Sequence, residues 1–426
     1  MTENKAAPAS GSILVVGGGI SGLTTALEAA EVGYEVFLAE KNPYLGGRVA
    51  QLNQYFPKLC PPTCGLEINF RRIKDNPKFK IFTLSQVEKV EGTPGNYKVT
   101  LKQEPRYVND NCTCCGDCAD ACKTEISNDF NFGMNKTKGA YLPFEMAFPA
   151  QYVISPQIIG TQDAQNCKNA CKYDAVELEM KPKNVELNVG AIVWATGWEP
   201  YDASKIDNLG FGQYQNVITN MMLERLASPG GPTNGKILRP SDNKEPESIA
   251  FVQCAGSRDE NHLPYCSYIC CMASLKHATY IRERYPEAKI YIFYIDLRTP
   301  GLKYENFYKK IKQDKNVFFV KGKVAQVDED PATKNITVVA ENAVTGEKTH
   351  ETVEMAVLAT GMQPSAANAK LPTDDLQYNE DGFILNDFER GGMFATGCAN
   401  KPADVVTSNQ NATGMALKAI KTLVNS

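Results

Sequence analysis

The sequence predicts an α/β protein in which two doubly wound domains are interrupted by a small cysteine-rich insertion. Three observations predict it. Near the start, a glycine-rich turn joins an apolar strand to a helix. From residue 248 a second strand–helix–strand unit carries cysteines where the first carries glycines. Between the two units lies most of the remainder of the chain's 14 cysteines.

The first unit reads SILVVGGGISGLTTALEAAEVGYEVFLAEKNPYLGGR. Ser12–Val16 is an apolar run that suits a buried parallel strand. Ile20, Leu23, Leu27 and Ala30 then recur at helical spacing, and Gly33 ends the helix. Glu35–Glu40 is the second strand. In the turn, Gly17 permits the tight bend, Gly19 lets a pyrophosphate approach the backbone, and Gly22 lets helix and strand pack closely. Ile20 and Ser21 open the helix, whose free N–H groups favour phosphate. Glu40 ends the second strand, where an acid binds ribose hydroxyls, and Lys41 follows it. With Gly46, Gly47 and Arg48 downstream, this is a dinucleotide site in its required context. The loop does not choose between FAD and NAD. The N-terminal position and the Gly46–Gly47 turn favour FAD, through a resemblance to two-dinucleotide flavoprotein reductases.

Two later segments echo each other. AIVWATGWEP and MAVLATGMQP each run from a strand through Ala-Thr-Gly to a proline. In that reductase superfamily such returns carry the chain between domains, which makes Thr196, Gly197, Thr360 and Gly361 candidate cofactor contacts. GGMFATGCANKPADVV resembles the closing flavin segment, with Gly397 and Cys398 at the contact; the superfamily usually has Asp where Cys398 stands. The expected layout is a flavin domain over 10–104, 183–235 (with a linker) and 355–426. An inserted iron–sulfur domain takes 105–182, and a second Rossmann-like domain takes 236–354.

In the insertion, Cys112, Cys115, Cys118 and Cys122 follow the C-x2-C-x2-C-x3-C run of bacterial ferredoxins. Zinc more often uses two C-x2-C pairs across a longer spacer. The second half keeps only Cys167 and Cys171. By ferredoxin topology, Cys171 completes a [4Fe–4S] cluster with Cys112, Cys115 and Cys118. Cys122 and Cys167 then flank a site short of two ligands, and Cys114 stands off the pattern.

In the second unit, Ile249–Gln253 reads as a strand, Ser267–Arg284 as a helix and Ala288–Ile295 as a strand. The turn reads CAGSRDENHLPYCSYICC. Four thiols crowding a helix start leave a pyrophosphate no contact surface, which argues against NAD(P). Cys254, Cys266, Cys270 and Cys271 instead suit a [4Fe–4S] cluster, with zinc as the alternative. Cys266 and Cys270 are expected one helical turn apart on a shared face. The pair Cys60 and Cys64 is open between a redox dithiol, cluster ligation and plain structural thiols.

Composition sets the outer bounds. A length of 426 residues allows two or three domains. A content of 43% hydrophobic and 22% charged residues is that of a soluble globular protein. The net charge of −4 argues against non-specific nucleic-acid binding. No apolar run reaches the roughly 18–20 residues of a membrane span. The opening MTENKAAPASGS has no apolar core and reads as a loose tail, so a reducing cytoplasmic location is expected, where clustered cysteines are metal or redox ligands. His262, His277 and His350 are the only histidines, too few for a histidine-based metal site.

Taken together, GGGISG with Glu40, the ferredoxin-type insertion, KGAYLPFEMAFPAQYVI and FVQCAGSRD…YCSYICCM resemble the HdrA family, the flavin-containing A-type subunits of heterodisulfide reductases, over nearly the whole chain. Within it, the length and the degenerate second cysteine run look closest to the A subunits of the quinone-interacting membrane-bound oxidoreductase complexes of sulfate reducers. The resemblance implies a thioredoxin/glutathione reductase-like flavoprotein with an inserted ferredoxin-like domain, carrying FAD and two [4Fe–4S] clusters. It further implies a role in electron transfer within a complex, on the cytoplasmic face of the membrane. Its partners would be a second flavin/iron–sulfur subunit, a membrane subunit handling quinone, and adenylylsulfate reductase, with flavin-based bifurcation or confurcation as an extension. The competing reading is an NAD(P)H-dependent disulfide reductase using Cys60 and Cys64.

Overall fold

The computed structural model describes residues 10–56, 59–342 and 344–425. Most of the expected N-terminal tail, residues 1–9, lies outside them. Two five-stranded parallel sheets organise the chain. In the first, the strand order is Met393–Ala395, Ala191–Trp194, Ser12–Val16, Glu35–Ala39, Phe79–Phe82. The central strand is apolar because it is covered on both faces: Ile13, Leu14 and Val15 have no accessible surface. Helix Ile20–Glu31 packs on the closing helix Val405–Asn425, across a face of small residues including Ala26, Ala412 and Ala416.

The second sheet runs Val217–Thr219, Met355–Thr360, Ser248–Ala255, Lys289–Tyr294, Val317–Lys321. Helices Asn220–Ala227, Cys270–Arg284 and Leu302–Lys312 cover it. Each sheet is accompanied by a three-stranded antiparallel meander, one of Ser85–Thr93, Asn96–Gln103 and Lys183–Val189, the other of Lys323–Glu329, Ile336–Glu341 and Lys348–Val353. This is the two-dinucleotide-domain flavoprotein fold.

Two segments sit differently from the expected layout. Val217–Thr219 and Met355–Thr360 pair in the second sheet, not the first. All six residues of Met355–Thr360 are buried, so this strand needs neighbours on both edges and finds them only there. The chain returns to the first domain later, through an antiparallel pair between Trp198–Pro200 and Met362–Pro364.

The insertion leaves the meander between two hydrogen-bonded neighbours, since Gln103 pairs directly with Lys183. Its ends are therefore already closed, and its length costs little in loop entropy. Inside it, short helices Asp117–Ala121 and Gln162–Ala170 pack together over Val108, Ile154, Ile158 and Ala164. No helix among the described residues is long and apolar enough to cross a membrane.

Candidate functional site

The glycine turn of the first unit is tied to the second glycine turn through backbone alone. Gly19 bridges Gly46, and Gly46 N–H donates to Gly18 O at 2.8 Å. Gly47 has φ +53°, and a Cβ there would lie 2.8 Å from Gly19 Cα. A Cβ on Gly22 would lie 1.8 Å from Gly17 O, so helix and strand close only on glycine. Gly19 caps the helix without any side-chain bond, which leaves the first-turn N–H groups to a ligand.

Glu40 is buried at the end of its strand. Its Oε2 accepts from Gly18 N at 2.6 Å and its Oε1 from Asn42 N at 2.7 Å. Burial pushes its carboxyl up, and these hydrogen bonds oppose the rise. Oε1 also accepts from Asn42 Nδ2 at 2.8 Å, so Oε2 is the oxygen that keeps a second lone pair for a hydroxyl donor. Lys41 pairs with Glu199 at 2.9 Å. Arg48 donates to Trp198 O at 3.3 Å and to Gln51 Oε1 at 3.1 Å. The Thr196 hydroxyl is buried with no partner beside Gly197. The closing segment arrives at the same place: a Cβ on Gly397 would meet Ser21 Oγ at 2.2 Å. Cys398 is buried and donates to Ala403 O at 3.4 Å, and burial pushes its thiol up to about 11. The cradle, the buried acid and the orphan hydroxyl fit a flavin dinucleotide.

Thr360 and Gly361 sit elsewhere. Thr360 donates to Asn220 Oδ1 at 2.9 Å, and its carbonyl accepts from Cys270 Sγ at 3.7 Å. A Cβ on Gly361 would strike Leu263 and Ser257. The second Ala-Thr-Gly turn thus braces the cysteine loop.

In that loop, strand Ser248–Ala255 carries a bulge between Val252 and Ala255, and Cys254 adopts φ +57°. A bulge re-aims the side chain, and left-handed backbone at a non-glycine residue stores strain. Cys254, Cys266, Cys270 and Cys271 line one small cavity with Arg258 and Arg298. The helix begins at Cys270, three residues later than expected, because Tyr268 at φ +67° interrupts it. Cys266 therefore reaches the cavity from the loop, where its Sγ accepts from Tyr268 N at 3.4 Å. Ser267 fixes the loop, bonded to Ser257 Oγ at 2.7 Å and accepting from Met362 N at 2.8 Å.

Burial pushes the Cys254 thiol up to about 11, and the neighbouring Cys271 and Cys266 add to the rise against Arg258. Cys270 is raised by burial and by Cys254, Cys271 and Cys266. Four thiols that repel one another's charge in a closed pocket become thiolates together only around a cation. That donor set fits a thiolate-ligated cluster, although among the described residues no group of three is already drawn to metal-binding geometry.

The insertion packs its cysteines into one cluster, with Cys118, Cys122 and Cys167 buried together and Cys112 and Cys171 against them. Burial pushes Cys118 up to about 12, and Cys112, Cys115 and Cys171 add to it. Cys171 Sγ accepts from Ala175 N at 3.3 Å. Cys167, also pushed up to about 12, is raised by burial and then by Cys122 and Cys118. Cys114 stands beside Cys112 and Cys115 at φ +57°. Cys60 is half-buried and Cys64 exposed at the start of helix Pro62–Lys74, beside Tyr55.

One feature escapes motif reading. Between the glycine cradle and the cysteine helix lies an apolar cleft, walled by Arg48, Trp198, Met272 and Tyr304 among others. At its inner end Glu224 Oε1 meets Lys276 Nζ at 2.5 Å and His277 Nε2 at 2.6 Å. Glu224 Oε2 accepts from Asn53 N at 2.8 Å and from the Tyr280 hydroxyl at 3.2 Å. Burial acts to raise Glu224, but Lys276 and His277 outweigh it and hold the carboxyl at about 2. Burial lowers the His277 imidazole, against the pull of Glu224. The only sequence signal was a Lys-His pair inside a helix whose neighbours are apolar.

Residues 15–77 match the family described as NAD(P)-binding Rossmann-like domain. An A-type iron–sulfur subunit of the CoB–CoM heterodisulfide reductase of Methanopyrus kandleri is 38% identical over 421 residues, covering 96% of this chain and 64% of that protein. Its counterpart from Methanocaldococcus jannaschii is 38% identical over 419 residues, covering 95% and 63%. The chain thus spans just under two thirds of these relatives' length. In structure it is similar to the thioredoxin reductase of Lactococcus lactis, with a TM-score of 0.53 at 14% identity over 97% of this chain and 99% of that one. The T. acidophilum thioredoxin reductase gives 0.53 at 13% identity, over 98% and 99%. At such identities the likeness is one of fold.

Proposed function

The chain belongs to the HdrA family of heterodisulfide reductase subunits, and from that premise we propose that it is a flavin- and iron–sulfur-bearing oxidoreductase subunit that relays electrons within a complex. One observation carries the reading: four cysteines converge on a cavity at the very turn where the sister domain keeps its glycines. FAD supplies two-electron chemistry that can be exchanged one electron at a time. In this reading the Gly17–Gly22 backbone, with Ile20 and Ser21, holds its pyrophosphate and Glu40 its ribose. Arg48, Thr196, Gly197, Gly397 and Cys398 line its inner half. Glu224 Oε1 and Gln54 O fix Lys276 Nζ at the inner end of the cleft. Cys254, Cys266, Cys270 and Cys271 hold one [4Fe–4S] cluster. Cys112, Cys115, Cys118 and Cys171 hold another.

The finer assignment follows the degenerate second cysteine run. It has electrons passing between adenylylsulfate reductase and a membrane quinone-linked subunit in sulfate respiration, with this chain peripheral on the cytoplasmic face beside a second flavin/iron–sulfur subunit. Quinol-dependent reduction of adenylylsulfate reductase by the reconstituted complex tests that assignment. Its failure with all cofactors present would move the chain to another complex.

The central test is chemical analysis of anaerobically prepared protein. Cys254→Ser is expected to lose about four of about eight irons and to keep its flavin. Full iron in that variant would overturn the cluster reading. Rapid bleaching of the flavin by NADPH or NADH, with turnover of a disulfide, would replace it with a disulfide reductase working through Cys60 and Cys64.

A further inference from the structure

We propose that the lysine-rich face formed by residues 298–323 docks an acidic one-electron carrier protein that exchanges electrons at the Cys254–Cys271 site. The inference rests on the reading of that site as a cluster. Residues 298–323 hold eight Lys and Arg against two Asp and Glu, a local charge of +6 in a chain whose net charge is −4. The two local acids are engaged, Glu305 by Lys309 and Asp314 by Arg282, while Arg298 and Lys323 pair with Asp296 and Asp259 outside the segment. Lys303, Lys310 and Lys321 are exposed, and among the described residues no carboxylate pairs with them. Helix Leu302–Lys312 turns Tyr304, Phe307, Tyr308 and Ile311 into the second domain's core, so Lys303 and Lys310, seven residues apart, share its outer face.

This charge lies beside the cysteine site. Arg298 lines the cysteine cavity. Four residues on, the helix begins, and Tyr304 on its inner side walls the cleft. Within the basic field, Leu302 is 77% exposed, the most exposed large apolar side chain among the described residues. Apolar contacts ringed by one sign of charge suit a transient protein interface with a complementary rim. Charge of this density also steers an acidic partner toward encounter. The step is a single electron: the carrier is oxidised by one, the cluster reduced by one, and no bond or proton moves.

The test uses the full chain with its cofactors and an acidic flavodoxin as probe, with a basic c-type cytochrome and anionic phospholipid vesicles as controls. Wild type is expected to bind the flavodoxin, weakening steeply with salt, and not the cytochrome. Lys303→Glu/Lys310→Glu should weaken flavodoxin binding by about tenfold or more with iron and flavin contents unchanged, and Lys303→Gln/Lys310→Gln should fall between. Unchanged flavodoxin binding by the Glu variant, or wild type binding only the vesicles, overturns the docking face. Charge-dependent flavodoxin binding by a protein without iron at the Cys254 site would uphold the face and sink the cluster reading instead.

Discussion

Glu224 has almost no contact with water, yet it stays ionised because Lys276 and His277 close on one of its oxygens. Glu224→Gln leaves the Lys276 ammonium buried without a counter-charge. A loss of about 3–5 kcal/mol is expected, read as a lower denaturant midpoint. The pH dependence has a definite sign. The folded carboxyl sits at about 2, below its ordinary value of 4.5. Its contribution is therefore complete above the unfolded value and fades as pH falls from about 4.5 toward about 2. Metal-free wild type should lose stability across that window, and Glu224→Gln should lack that component of the loss. Thr196 gives the opposite kind of test. Its hydroxyl is buried and unpartnered, so Thr196→Val should cost the flavin-free protein almost nothing while weakening flavin retention. Of these residues only Thr196 was readable in advance, through the Ala-Thr-Gly repeat. Glu224 lies in a helix with no motif, and its partners come from 52 and 53 positions further on.

At the scale of elements, the strand–turn–helix of the first unit was legible to within a residue. Its apolar run, glycine spacing and helical periodicity are local properties. Gly22→Ala is expected to prevent the unit from closing, since the added methyl would sit 1.8 Å from Gly17 O; circular dichroism and flavin content would both report it. The cysteine helix was less legible. Periodicity extends it back to Ser267, but the left-handed Tyr268 stops it at Cys270. That break frees Cys266 to turn into the cavity from the loop. In the insertion, spacing picks out a run of four cysteines, while folding brings Cys167 and Cys171 against that run in one cluster. Cys118→Ser should remove about four irons, whereas Cys122→Ser should leave the iron content unchanged, as measured by iron analysis of the intact chain. Equal losses in both would mean a different division of ligands.

On the scale of the whole molecule, the cradle and the cysteine cavity belong to different sheets, and one cleft has Arg48 and Trp198 on its wall together with Tyr268, which also lines the cysteine cavity. A relay needs such proximity, and neither domain provides it alone. The antiparallel pair of Trp198–Pro200 with Met362–Pro364 joins the two sheets on that side, and Tyr265 donates to Met362 O at 2.9 Å, tying the cysteine loop to the same hinge. Tyr265→Phe should loosen this tie and slow electron exchange between flavin and cluster, with both cofactors still bound; stopped-flow spectra would show it. The sequence by itself determined the two strand–turn–helix units, the glycine cradle and the replacement of glycines by cysteines, because each is written in residues that are neighbours along the chain. Only the tertiary structure decided that Met355–Thr360 belongs to the second sheet, that Glu224 guards Lys276, and which cysteines face one another. Those outcomes depend on which buried surfaces find partners across long stretches of chain, and burial of that kind has no local signature.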